Sequence, residues 1–227
     1  MKKKDYTYIG ISFIILLFGI IFIPKIVNRL SNNEVVDNDR HNLVRNNNKT
    51  IDTLAVIGKA PSFELTNQNE ATITDSSYSG KVYLAEFFFT TCPSICPIMN
   101  RNMVKIQNEF EGNPNLGIAS FSIFPDYDTP EILKAYADKY EVTNPNWHFL
   151  TGDQEEILKL SNEGFKLYAA KTEDPEELFA HSGFFALIDQ DGNIRSRIDE
   201  NGNPIIYYDG LEDASILQLI EDIKKLL

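Results

Sequence analysis

The chain has 227 residues, 43% of them hydrophobic, enough for one domain with a sizeable core plus extra segments. Its formal net charge of -12 divides into +4 over residues 1–50 and -16 over the remainder, so the body repels phosphates and nucleic acid is excluded as a partner. Cys92 and Cys96 are the only cysteines, and a core of this size does not need a disulfide to hold it, so the pair calls for a chemical reason.

In chain order, Lys2, Lys3 and Lys4 precede an uncharged run from Tyr6 to Ile23, closed by Pro24 and Lys25. Eighteen uncharged residues at about 1.5 Å rise each just span a bilayer core. The lysines favour an N-terminus on the cytoplasmic side. No small-residue cleavage site follows, so an uncleaved transmembrane anchor over 1–27 is expected. Residues 28–57 are rich in Asn and poor in large apolar residues, which predicts a polar, flexible tether. The folded domain is expected over 58–227, exported to a compartment where disulfides persist.

Within it, "FELTNQN" and "EATITDSS" read as the strands of a hairpin. "KVYLAEFFF" (81–89) is an apolar and aromatic run suited to a strand buried on both faces. After the turn "CPSICP", Ile98, Met99, Ile106 and Phe110 recur at helical spacing. "NLGIASFSIF" predicts a second buried strand. "DTPEILKAYADKYEV" predicts a helix capped by Thr129 with Pro130 in its first turn. "WHFLTG" reads as a short strand or turn, and "DQEEILKLSNEGF" as a helix. "SGFFALIDQDGNIRSRID" reads as two strands joined at Asp191-Gly192, and "EDASILQLIEDIKKLL" as a closing amphipathic helix. The order predicts an α/β fold with a central mixed sheet flanked by helices, with extra hairpins. A cysteine pair between the first central strand and its helix is where thioredoxin-like folds keep theirs.

Cysteines at the mouth of a helix feel unpaired N–H groups and the positive end of the dipole, which favour the thiolate. A three-residue spacer brings both sulfurs to one point, to close a disulfide or to chelate an ion. The spacing is one residue longer than the C-x-x-C of thioredoxin-type oxidoreductases. The P-x-x-x-T-x-x-C pattern of peroxiredoxins is absent, its first two positions being Ala85 and Phe89. Structural zinc wants four ligands. Copper(I), soft and tolerant of low coordination number, suits two thiolates better. Copper binding and thiol redox exchange therefore both stand at this point. A third ligand would come from His41, His148 or His181. His41 lies in the tether, and His148 sits among apolar residues and reads as structural. His181 opens a buried strand, either as a ligand or as a loop histidine bonded to backbone. Met99 and Met103 are soft enough for copper, but packing is the reading for both. "DQDGN" lacks the later acidic positions of a calcium loop and reads as a hairpin turn. "KTEDPEEL" (171–178) reads as a solvated acidic insert.

The segments "FELTNQN", "FFFTTCPSICPIM", "FPDYDTPEILKAYADKY", "WHFLTG" and "HSGFFALIDQDGNI" together resemble the SCO/SenC family of copper-handling factors for cytochrome c oxidase assembly. The resemblance covers residues 60–226. It implies a thioredoxin-like fold with extra hairpins and copper, as Cu(I), Cu(II) or both, bound by Cys92, Cys96 and His181. It also implies delivery to the CuA site of cytochrome c oxidase subunit II, or reduction of that site's cysteines. Other copper chaperones or thiol reductants are the further partners, with a membrane anchor placing the domain outside the cytoplasmic membrane. The alternatives are a thiol-disulfide oxidoreductase, with Cys92 and Cys96 catalytic, or a redox or copper sensor. One departure stands out. The family often shows D-P-x-x-D-T where this chain reads "FPDYDT", with Phe124 at the first Asp. Asp126 is then a turn residue, or a substitute carboxylate. Asp128 reads as an acid at a helix start.

Overall fold

The computed structural model describes residues 12, 15–20, 22–24, 54–172, 179–199 and 201–227. Two compact units are distinguished, Met1–Ile51 and Asp52–Leu227. In the first, residues 15–20 and 22–24 are helical. Among the described residues no helix is long and apolar enough to cross a membrane. Most of the expected anchor and tether, with His41, lies outside the described residues.

The second unit is built on one mixed sheet. Its strands are β1 (Ala55–Lys59), β2 (Glu64–Asn67), β3 (Thr72–Thr74), β4 (Val82–Phe88), β5 (Leu116–Ser122), β6 (Trp147–Thr151), β9 (Phe184–Ile188), β10 (Asn193–Ser196) and β11 (Tyr208–Asp209). A separate two-stranded ribbon holds β7 (Ala169–Lys171) and β8 (Phe179–His181). The main order is β1-β10-β9-β4-β5-β6-β2-β3, with β11 paired to β9. β4, β5 and β6 run parallel, while β9 is antiparallel to β4 and β10 to β9. Every residue of β4 and β5 is buried, as mainly apolar runs require of strands covered on both faces.

Among the described residues of this unit the α-helices are α1 (Cys96–Glu109), α2 (Pro130–Lys139), α3 (Gln154–Lys159) and α4 (Asp213–Leu226), with α3 running into a π-helical turn over Leu160–Phe165. Strand, helix and parallel strand are followed by an antiparallel hairpin and a closing helix, the order expected from the sequence. Thr129 caps α2 as predicted, its Oγ1 accepting the Ile132 N–H at 3.4 Å. The stripe on α1 differs. Cys96, Met99, Met103 and Ile106 form the fully buried i, i+3, i+7, i+10 row, while Ile98 is exposed. Met103 lies one turn on from Met99, so the two share the core face.

β5 and the 3-10 turn at Asp75–Tyr78 leave no room at Gly117. A Cβ there would meet the Tyr78 ring at 2.6 Å. That ring cannot swing away, because it is buried and its hydroxyl donates to the Ile118 carbonyl at 2.9 Å. Gly117→Ala is therefore expected to destabilise the fold by about 1–3 kcal/mol through overpacking, read as a lower denaturant midpoint. A midpoint equal to wild type would show that the ring has space to move.

Candidate metal centre

β4 delivers the chain to the site. The strand ends at Phe88, the backbone turns through Thr90 and Thr91, and Cys92 follows with its N–H donating to the Phe89 carbonyl at 3.2 Å. Cys96 is the first residue of α1 and Pro97 the second, a position where a missing N–H costs nothing. The Cys96 backbone N–H donates to Cys92 Sγ at 3.5 Å. Helix start and cysteine spacing thus aim an orphan donor at a sulfur. Both cysteines are buried and free. Hydrogen bonding to Cys96, followed by His181, pulls Cys92 down to about 3, against the effect of its burial. The bond to Cys92 and burial push Cys96 up. The Cys96 N–H aimed at Cys92 Sγ favours the thiolate form of Cys92, whereas Cys96 has no solvent contact.

His181 ends β8 and completes the group. Its Nε2 lies 3.0 Å from Cys96 Sγ. Its Nδ1 faces the Ser182 carbonyl at 3.1 Å. A carbonyl only accepts, so Nδ1 carries the proton and Nε2 turns its lone pair to the sulfurs. This is the tautomer a metal ligand needs, fixed by a backbone partner. Two sulfurs and one imidazole nitrogen lie within 4.8 Å of one another. No other group of three such ligands occurs among the described residues. The sequence supplied the three candidates; the fold closes the 85-residue gap between Cys96 and His181.

Residues 53–215 match the SCO1/SenC family. The chain belongs to that family. A SCO1 protein homolog from Bacillus subtilis (strain 168) is 33% identical over 164 residues, covering 71% of this chain and 79% of the relative. The structure of BsSco, reported with a disulfide switch as a member of the Sco family of cytochrome c oxidase assembly proteins, superposes with a TM-score of 0.62 at 31% identity. It covers 76% of this chain and 95% of that one. Bradyrhizobium japonicum ScoI, solved with copper bound, gives a TM-score of 0.59 at 26% identity over 74% of this chain and 99% of its own. This SCO1/SenC chain shares with them the mixed α/β sandwich.

Around the centre, some residues differ from their sequence reading. Asp128 is more than an acid at a helix start. It is fully buried and accepts the Thr90 N–H at 3.1 Å, the Thr90 hydroxyl, and the Ser122 hydroxyl at 2.5 Å. It fastens the loop that carries Cys92 to the end of β5. Asp128→Ala strands those donors in the core, each at about 1–3 kcal/mol. The expected result is a lower thermal midpoint together with faster alkylation of Cys92; unchanged alkylation would show that the clasp does not hold the loop. Asp126 is exposed and outside the ligand cluster. Met99 and Met103 are core residues, as read. His148 is structural, accepting the Asn67 amide at 3.1 Å through Nδ1, with burial lowering its pKa.

Glu86 escaped the sequence reading, which took 81–89 as an apolar run. A single carboxylate inside a seven-residue buried strand was the available signal. Glu86 is fully buried in β4. Ser120 donates to its Oε1 at 2.7 Å, and Trp147 Nε1 donates to that same Ser120 hydroxyl at 3.0 Å. Oε2 has no hydrogen-bond partner. Burial pushes its pKa up to about 7, against the pull of Ser120 and of His181. Asn100 in α1 is also buried, donating to the Cys96 carbonyl and to the Tyr136 hydroxyl at 2.9 and 3.0 Å, with its own Oδ1 unpartnered. Polar groups thus underlie the cysteine helix inside an otherwise apolar core.

Proposed function

We propose that this chain is a metallochaperone that holds one copper ion between Cys92, Cys96 and His181 and passes it on by ligand exchange. The observation that carries the reading is the convergence of two sulfurs and an imidazole lone pair within 4.8 Å. That donor set is soft and one ligand short of a structural zinc site, which favours Cu(I), with Cu(II) as the second loading state. The likeness to ScoI with copper bound and to the Sco oxidase-assembly proteins supports it. By the same likeness the acceptor is the CuA site of cytochrome c oxidase subunit II, supplied through other copper chaperones or thiol reductants. The Tyr6–Ile23 run then serves as a single-pass anchor in the cytoplasmic membrane, N-terminus inside and domain outside. Anchoring donor and acceptor in one layer raises their effective concentration. The test is a Cu(I) competition titration of the reduced protein. Wild type is expected to bind one equivalent far more tightly than the Cys92→Ser/Cys96→Ser double variant; equal binding by the two ends the proposal.

A second reading rests on the two free cysteines held together at the mouth of α1, with a helix N–H on Cys92 Sγ. In it the Cys92 thiolate attacks a target disulfide, Cys96 gives up its proton and displaces the mixed disulfide, and the target leaves as a dithiol after taking one proton from Cys96 and one from water, while Cys92–Cys96 becomes a disulfide. Stopped-flow exchange with an oxidised target peptide separates the readings: exchange no faster than with free glutathione, with copper binding intact, removes the second.

A further inference from the structure

His181 depends on an unusual support. It ends a three-residue strand in a ribbon of only two strands that stands apart from the main sheet. Two-stranded ribbons are marginal on their own, so side-chain packing must hold this one. Along β8 the ring of Phe179 is buried. It meets Phe89, just past the end of β4, at 5.6 Å, and Phe124, after β5, at 4.9 Å. Phe89 in turn stands edge-on to the His181 imidazole at 5.9 Å and 80°. Phe124 is itself held in place. Its N–H donates to Ser122 Oγ at 3.2 Å, and its ring stacks on Tyr127 at 5.7 Å and 18°. The outer member of this row, Phe124, is half-buried. A carboxylate there would be desolvated against Phe179 and has no ring face to offer it.

We infer that Phe124 is a positioning residue for the metal centre, bracing His181 through the Phe124–Phe179–Phe89 row. The inference rests on the copper reading above, and it commits to an effect on the imidazole rather than on the thiolates. An aromatic pair of this kind has the strength to change ligand affinity about 2- to 10-fold.

The experiment is a double-mutant cycle on the full chain in its reduced form, with Phe124→Ala, Phe124→Tyr, His181→Ala and their combinations. Cu(I) affinity is read by competition and the His181 ring signals of the metal-free protein by NMR, with the His148 ring as internal control. Phe124→Ala is expected to weaken Cu(I) about 2- to 10-fold, to have no effect in the His181→Ala background, and to shift or broaden the His181 signals while those of His148 stay. Phe124→Tyr, which keeps the ring, is expected to behave as wild type. Equal losses in both backgrounds, or unmoved His181 signals, overturn the inference. If Phe124→Ala does not fold, Phe124→Leu goes through the same cycle, and the same two results overturn the inference. A wild type that binds no copper while Phe124→Ala still moves the His181 signals removes the chaperone reading and leaves the bracing role standing.

Discussion

Cys96→Ser is expected to lower Cu(I) affinity by more than about 100-fold, beyond the 10- to 100-fold range that losing an outer partner of a metal ligand costs. Cys96 has no solvent exposure, and its sulfur sits 3.0 Å from His181 Nε2. Its backbone N–H also reaches Cys92 Sγ. Serine keeps the backbone donor and nearly the same volume, so the turn and α1 persist. What is lost is the soft donor, replaced by a hard hydroxyl that stays protonated. Removal of the imidazole in His181→Ala leaves both sulfurs and is expected to cost less. Competition titrations of the two variants rank the ligands directly. A His181→Ala loss larger than that of Cys96→Ser would mean that the imidazole, not the buried sulfur, dominates the site.

Glu86→Gln is expected to stabilise the metal-free, reduced protein at alkaline pH and to be nearly neutral at acid pH. The carboxyl is fully buried with one oxygen unpartnered, and its folded pKa stands at about 7 against 4.5 for the free group. The folded state therefore holds this proton more tightly than the unfolded chain does. Its contribution is most favourable below about pH 4.5, declines as pH rises toward 7, and is lost above that. A glutamine cannot ionise and escapes the penalty, keeping an oxygen for Ser120. The gap in unfolding free energy between variant and wild type should open from near zero at low pH to ~3 kcal/mol well above pH 7. Urea denaturation across that range measures it. A gap that does not change with pH would show that Glu86 keeps the same protonation state folded and unfolded.

Much of the fold was open to reading because burial writes itself into short runs. β4 and β5 are mainly apolar segments, interrupted by Glu86 and by Ser120 and Ser122, and a strand covered on both faces favours that composition. The hairpin at Asp189–Asn193 was readable because Gly192 must adopt a positive φ, here 75°. β7 and β8 were not readable, nor was β1. Three residues are too few for a period, and a strand such as β1 with one buried position in five carries no alternation. Asp128 was legible as an acid near a helix start but not as a buried clasp, since its partners Thr90 and Ser122 are supplied by other elements.

The sequence by itself determined the cysteine turn. Strand, three-residue spacer, prolines and helix start are all local, and local sterics with the helix terminus suffice to bring Cys92 and Cys96 together. It also determined the separation of a basic N-terminal stretch from an acidic body. Only the tertiary structure decided that His181, rather than His148, meets the sulfurs. Pairing of β9 with β4 brings the end of β8, and His181 with it, over the helix mouth, while β6 leaves His148 against Asn67. It likewise decided that Glu86 keeps one oxygen unpartnered in the core and that Phe124 reaches Phe179. Such long-range contacts depend on which strands become neighbours, and no window along the chain contains that information.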